Sequence, residues 1–231
     1  MKEKLYQILN IVTLIAYYLP LVVVLCKKLW KDLPVMMFSC YWALGGFVNF
    51  LGSSSLLDSS SFNICRLIFN ILDVPFVLFI FYLNTGVDSL RSLIRILIPV
   101  YLFIEIMNGI ILGFNDDSFK YMVGFGVLLV ITIVTTEIIH YFKRLDHSPR
   151  EKAISFLFLA VLFEYSIYTI YYAYEYFLPG EVQTDMDIIY YASTLIGIII
   201  ASIGFFSDAL IKKKPKPAAP RQHEVLINII D

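Results

Sequence analysis

Three carboxylates interrupt long apolar stretches of this sequence, and they are the first candidates for chemistry. Asp73, Glu105 and Glu164 each lie well inside a run of mostly hydrophobic residues. An isolated ionised carboxylate in an apolar medium is very unfavourable. We therefore expect each group either to carry a proton or to share a cation, a proton or water, and each is a candidate functional residue.

Other polar residues lie near the carboxylates in the sequence, at helical spacing. Asparagine, threonine or tyrosine side chains recur three or four residues apart, so they would share a helix face with the carboxylate or form a stripe on a neighbouring helix. We predict that these groups line one central polar pocket that binds a small ligand or cation. The candidate ligand-binding residues are Asn70, Asp73, Tyr101, Glu105, Asn108, Glu164, Tyr168 and Thr194.

The composition indicates which kind of protein must position these groups. Of the 231 residues, 59% are hydrophobic and only 16% are charged, against roughly 25% charged in an average soluble domain. The mean hydropathy is +0.76. A soluble domain could not cover so much apolar surface, and a disordered chain would be far more polar. The net charge of −1 also argues against nucleic acid as a partner. The sequence therefore predicts an all-α, polytopic membrane protein in contact with the lipid bilayer.

Seven stretches are long enough to cross a bilayer, which takes about 20 apolar residues each. We place them at about 5–26, 34–52, 64–84, 93–114, 119–142, 153–177 and 187–211. The connections between them are short, so residues 1–211 are predicted to form one seven-helix transmembrane domain. Residues 212–231 are predicted to form a basic, proline-containing cytoplasmic tail. The serine-rich run from 52 to 62 is expected to separate the second span from the third.

The distribution of basic residues predicts the orientation, because lysine and arginine favour cytoplasmic connections. Sorting the 18 lysines and arginines by alternate sides places 14 on one side and four on the other, the four being Lys2, Lys4, Arg66 and Lys120. The prediction is an N-terminus outside and a C-terminus in the cytoplasm. Short loops without N-glycosylation sequons favour a multi-pass protein of a bacterial inner membrane over other cell membranes.

The sequence lacks the residues that several kinds of membrane-protein chemistry require. A retinal Schiff base needs a lysine deep in the bundle, and every lysine lies in a terminus, a connection or a span end. A zinc site needs several convergent His or Cys ligands, but of three histidines only His140 falls within a span. No nucleotide-binding loop and no G-x-S-x-G is present. We expect no enzyme activity, no metal and no cofactor.

Three functions remain open. The first is a binding protein or sensor for a small cationic ligand or protons, which would need a cytoplasmic or membrane partner protein because the chain has no output domain. The second is a small proton- or cation-coupled transporter or channel. Corresponding broken helices in two halves would support it, but Pro20, Pro75 and Pro99 have no counterparts inside the last three spans. The third is a helical subunit of a larger membrane complex.

Overall fold

The computed structural model describes residues 2–54, 56–177 and 183–211, and this part of the chain is helical throughout apart from short connections. It contains eight α-helices and two short 3-10 turns at Leu29–Lys31 and Asp208–Leu210. The α-helices are α1 (Lys2–Ala16), α2 (Leu19–Cys26), α3 (Leu33–Ser53), α4 (Ser59–Asn84), α5 (Asp88–Leu112), α6 (Asp116–Lys143), α7 (Pro149–Phe177) and α8 (Gln183–Phe206).

Seven helical stretches are long and apolar enough to cross a membrane, with α1 and α2 together forming the first. The predicted all-helical protein with seven long apolar helices is thus confirmed. Large apolar side chains such as Ile15, Phe103 and Ile111 stand exposed on the outside of the bundle, as a lipid-facing surface requires. The predicted tail at 212–231 lies outside the described residues.

The first span is interrupted at Tyr17 and Tyr18, where α1 ends and α2 begins. Pro20 causes this interruption, because proline has no N–H for a helical hydrogen bond and its ring clashes with the carbonyl four residues earlier, here that of Ala16. Pro75 lies inside α4, which remains one helix. The interruption places Tyr17 in the interior, where it is 5% exposed.

The start of α4 shows how local capping sets a helix boundary. The Asp58 Oδ2 atom accepts hydrogen bonds from the backbone N–H groups of Ser60 (3.1 Å) and Ser61 (3.2 Å). The Ser61 hydroxyl also donates to Oδ1 at 2.6 Å, and these bonds hold the pKa of Asp58 below its ordinary value. The helix therefore begins at Ser59, within the serine-rich run and earlier than the predicted boundary at 64.

Helices α7 and α8 pack closely because glycines on α8 remove the side chains that would separate them. A Cβ atom on Gly204 would lie 2.6 Å from the Ala153 carbonyl oxygen, and one on Gly197 would lie 2.5 Å from Glu164 Oε1. Ala201, between these glycines, is fully buried. These small residues of the last span thus face α7.

Ion pairs join ends of the first and last spans that are distant in sequence. Lys2 at the start of α1 pairs with Asp185 near the start of α8 at 2.8 Å. Lys27, after α2, pairs with Asp208, after α8, at 3.0 Å. The first and last spans therefore run in the same direction, as an odd number of spans demands.

Candidate functional site

A cavity of 160 Å³ lies within the bundle, between mid-depth and the end that carries the N-terminus. Its wall is formed by the α1–α2 interruption and by α3, α4, α6, α7 and α8. Polar and aromatic groups dominate the lining, which consists of Tyr17, Tyr41, Trp42, Gly45, Asn49, Phe69, Asn70, Asp73, Val74, Val123, Val127, Glu164, Tyr165, Tyr168, Tyr190, Ser193 and Thr194. We call this space the central cavity.

The Glu164 carboxylate is held by a tryptophan from another helix. Trp42 Nε1 donates to both carboxylate oxygens, at 2.9 Å to Oε1 and 3.1 Å to Oε2. Trp42 is only 1% exposed, so its indole is fixed by the surrounding core. Gly197 lets α8 approach the same carboxylate closely. The side chain of Glu164 is therefore fixed in position at the cavity wall.

Asp73 is held in a similar way by a tyrosine. The Tyr165 hydroxyl donates to Asp73 Oδ2 at 2.7 Å, which links α7 to α4. One helix, α7, thus contributes Glu164 itself and, at the next residue, the donor to the second carboxylate.

Further hydroxyl groups extend this network around the cavity. The hydroxyls of Tyr17 and Tyr190 lie 3.4 Å apart, and Thr194 lines the same cavity. The charges of Asp73 and Glu164 are close enough to interact electrostatically. No lysine, arginine or histidine is found among the described residues that line the cavity. The two carboxylates therefore share one cavity with hydrogen-bond donors and aromatic rings but with no fixed positive charge.

The structure brings together five of the eight predicted site residues and places the other three elsewhere. Asn70, Asp73, Glu164, Tyr168 and Thr194 line the central cavity. The described lining does not include the three candidates from α5, which are Tyr101, Glu105 and Asn108.

The α5 stripe faces α6 instead. The Tyr101 hydroxyl donates to the Met122 carbonyl at 2.9 Å, and Asn108 Nδ2 donates to the Ser118 carbonyl at 2.6 Å. These bonds use the polar groups to join two neighbouring helices, a common role inside membranes. Glu105, between them, is fully buried, and neither carboxylate oxygen has a hydrogen-bond partner among the described residues.

Sequence reasoning did not select several aromatic residues that complete the site, namely Tyr17, Tyr41, Trp42, Tyr165 and Tyr190. The sequence contains one pattern that could have indicated Trp42. Trp42, Gly45 and Asn49 are spaced by three and four residues and share a helix face. Its pairing with Glu164 spans 122 positions of the chain, and no local pattern encodes that contact.

The described residues contain no group of three or more His, Cys, Asp or Glu side chains arranged to hold a metal ion. The fold and site define a bundle of seven long apolar helices, typical of a membrane protein, with an interior cavity built from two carboxylates and a set of tyrosines. Comparisons of the chain with family models, curated proteins and solved structures found no significant match.

Proposed function

We propose that this protein is a non-enzymatic integral membrane protein whose central cavity binds a small organic cation, such as a protonated amine. The observation that carries the proposal is the presence of Asp73 and Glu164 in one cavity whose described lining has no basic side chain. Two neighbouring carboxylates inside an apolar bundle, without a fixed counter-charge, need protons or a cation. A cationic ligand would supply the missing charge.

The size and the walls of the cavity narrow the ligand class. A volume of 160 Å³ is close to that of a cavity of about 150 Å³ known to hold a benzene molecule. Aromatic faces attract cations, and this attraction strengthens where water is excluded. The walls include five tyrosines and Trp42. We expect a compact ammonium ion with few carbon atoms rather than an extended polyamine.

Intrinsic tryptophan fluorescence offers a direct test. The chain has two tryptophans; Trp42 lines the cavity, and Trp30 is 44% exposed. A Trp30→Phe background leaves Trp42 as the only reporter. In nanodiscs, titration with tert-butylammonium should change the Trp42 emission saturably, whereas the neutral isostere tert-butanol should have little effect.

Two variants at the cavity and one matched control complete this experiment. Glu164→Gln and Asp73→Asn should each weaken tert-butylammonium binding by about tenfold or more, because each removes one attractive charge from a low-dielectric site. Glu105→Gln is the control, since it removes a fully buried carboxylate that lies outside the cavity lining. Equal binding of the ammonium ion and the neutral alcohol would refute the proposal.

A second candidate function, a small proton- or cation-coupled transporter, is favoured by one observation. The first span is interrupted at Tyr17, and Tyr17 lines the central cavity. Interrupted helices at a mid-membrane site are a feature of secondary transporters. In liposomes, a transporter would catalyse proton or ammonium flux that Glu164→Gln abolishes. A binding protein would show saturable binding without flux.

We propose the orientation with the N-terminus outside, which directs the central cavity toward the outer half of the membrane. A sensor of this design would transmit its state through a cytoplasmic or membrane partner protein. Co-purification of one stoichiometric partner that dissociates on adding tert-butylammonium would support sensing.

A further inference from the structure

A second cavity, of 330 Å³, lies at the opposite end of the bundle from the N-terminus. It is bounded by the start of α3, the end of α4, the end of α6 and the start of α7. Charged and polar groups are concentrated in its lining, which includes Asn84, Glu137, His140, Lys143, Arg144, Arg150 and Glu151. We call it the end cavity.

Two ion pairs occupy part of this lining. Arg150 donates to both carboxylate oxygens of Asp32, at 2.7 Å and 2.9 Å, and Asp32 is only 5% exposed. Arg144 pairs with Glu151 at 2.8 Å. These pairs join the connections around the cavity. Within each pair, the two charges largely neutralise each other.

Glu137 is not satisfied in this way. It is 6% exposed, and its Oε1 atom is buried without a hydrogen-bond partner among the described residues. Oε1 is therefore a buried acceptor on a residue that lines the end cavity. An unsatisfied buried acceptor of this kind calls for a donor from a bound group or from water.

Lys143 provides the opposite charge on the same helix. It lines the end cavity, and the described part of the chain gives it no ion pair, unlike the two arginines. Six residues separate it from Glu137, which corresponds to about 9 Å along a helix. The end cavity is thus lined by a carboxylate with an unfilled acceptor and, further along α6, by an ammonium group that has no ion pair among the described residues.

We propose that the end cavity binds an ammonium–phosphate zwitterion, the headgroup of phosphatidylethanolamine. The ligand ammonium would donate to Glu137 Oε1, and the phosphate would lie against Lys143. The cavity lies where a bilayer places headgroups, at one end of the apolar helices. Ile139, one turn before Lys143, is an exposed apolar residue, which offers a surface for the acyl chains.

Native mass spectrometry of the full-length protein tests this proposal. The protein is released from nanodiscs made from equal parts phosphatidylethanolamine and phosphatidylglycerol, and the lipids that remain bound are counted. We expect one retained phosphatidylethanolamine, enriched by about tenfold over phosphatidylglycerol, because the latter has no ammonium for Glu137 to bind. Soluble phosphoethanolamine should compete only if the headgroup alone is sufficient, and failure to compete assigns the binding to the intact lipid.

Variants separate this site from the central cavity. Glu137→Gln, nearly isosteric with the native side chain, should reduce the enrichment for phosphatidylethanolamine at least fivefold, because the amide carbonyl carries no charge for the ammonium. Lys143→Ala should reduce total lipid retention. Glu164→Gln, in the central cavity, should leave lipid retention unchanged while weakening tert-butylammonium binding, so the two proposals can fail independently.

Two results would overturn the assignment. The first is equal retention of both lipids by the wild-type protein. The second is unchanged enrichment in both Glu137→Gln and Lys143→Ala when thermal melting shows that these variants are folded.

Discussion

Replacing Gly197 with alanine tests whether the position of the Glu164 carboxylate controls the central cavity. A Cβ atom on Gly197 would lie 2.5 Å from both Glu164 Oε1 and Cγ. Ordinary van der Waals contact begins at 3.4 Å, so the carboxylate must move by about 0.9 Å to make room. The atoms that would crowd this Cβ belong to the Glu164 side chain and not to the backbone, so they can move.

The size of the effect follows from the two hydrogen bonds that this movement disturbs. Trp42 Nε1 lies 2.9 Å and 3.1 Å from the two Glu164 oxygens. A displacement of about 0.9 Å takes at least one of these distances beyond the range of a useful hydrogen bond. A hydrogen bond to a charged group contributes about 1.5–3 kcal/mol. We therefore expect Gly197→Ala to weaken tert-butylammonium binding by at least about tenfold.

The assay uses Trp42 emission in the Trp30→Phe background, with each variant in nanodiscs. Loss of the hydrogen bond to Glu164 should shift the emission of the unliganded protein, so the geometry is tested even without a ligand. Thermal unfolding is measured in parallel. We expect a modest change in stability, because alanine is favoured over glycine in a helix by about 1 kcal/mol, which offsets part of the crowding.

Gly204→Ala is the matched control on the same helix. Its Cβ atom would lie 2.6 Å from the Ala153 carbonyl oxygen, which belongs to the backbone and cannot rotate away. This variant should lower the unfolding free energy by about 1–3 kcal/mol and leave the cavity unchanged. If Gly197→Ala has native Trp42 emission and native ligand affinity, the Trp42–Glu164 contact does not control the site.

Three further predictions follow from the ends of the helices. With the native cysteines replaced by serine, Leu56→Cys should react with a membrane-impermeant maleimide on intact cells, whereas Leu145→Cys should react only after permeabilisation; the reverse pattern would invert the proposed orientation. Because Asp58 has a lowered pKa in the folded protein, its cap should stabilise α4 above the ordinary carboxyl pKa of about 3.9 and be lost as pH falls through the lowered value; hydrogen exchange at the first turn of α4 should show this dependence, and Asp58→Asn should flatten it. Asp32→Ala should cost about 2 kcal/mol, because it leaves the half-buried Arg150 unpaired, and a loss below about 0.5 kcal/mol would show that the pair behaves as an exposed one.

Hydropathy was sufficient to predict the seven helices, because crossing a bilayer requires length and apolar composition and little else. In the last span, Gly197, Ala201 and Gly204 also recur at helical spacing, which places them on one face. That face does meet α7, since small residues permit close approach. These features depend on neighbours within one helix, and the sequence displays them directly.

The pattern within one helix does not predict how that helix is rotated about its axis relative to its neighbours. Tyr101, Glu105 and Asn108 share a face of α5, as their spacing predicts, but that face meets α6 and not the central cavity. Rotation is set by packing against other helices, and the pattern within α5 contains no information about which helix lies opposite. The contact between Trp42 and Glu164 depends on tertiary packing in the same way.

A layer of aromatic rings from Phe38, Trp42, Phe81 and Phe158 separates the two cavities. Whether this layer opens bears on whether the protein binds its ligand or transports it. Phe38 packs on Trp42 and on Phe158, with ring centroids 6.2 Å and 5.9 Å apart, and Phe81 lies 5.3 Å from Phe158. Trp42 lines the central cavity, Phe158 lines the end cavity, and no described residue lines both.

We therefore expect an ion to pass from one cavity to the other only if this layer rearranges. Phe158→Ala should open the layer and produce an ammonium leak in liposomes, whatever the wild-type protein does. A Phe158→Leu variant provides the milder change if alanine, which costs about 3–5 kcal/mol, prevents folding. If a folded variant is as impermeable as the wild type, the layer is not the barrier. If the variant leaks and the wild type shows no flux, the native layer stays closed, and the protein acts by binding. Saturable wild-type flux would instead mean that the layer has a second arrangement, because transport requires a site that opens alternately to each side.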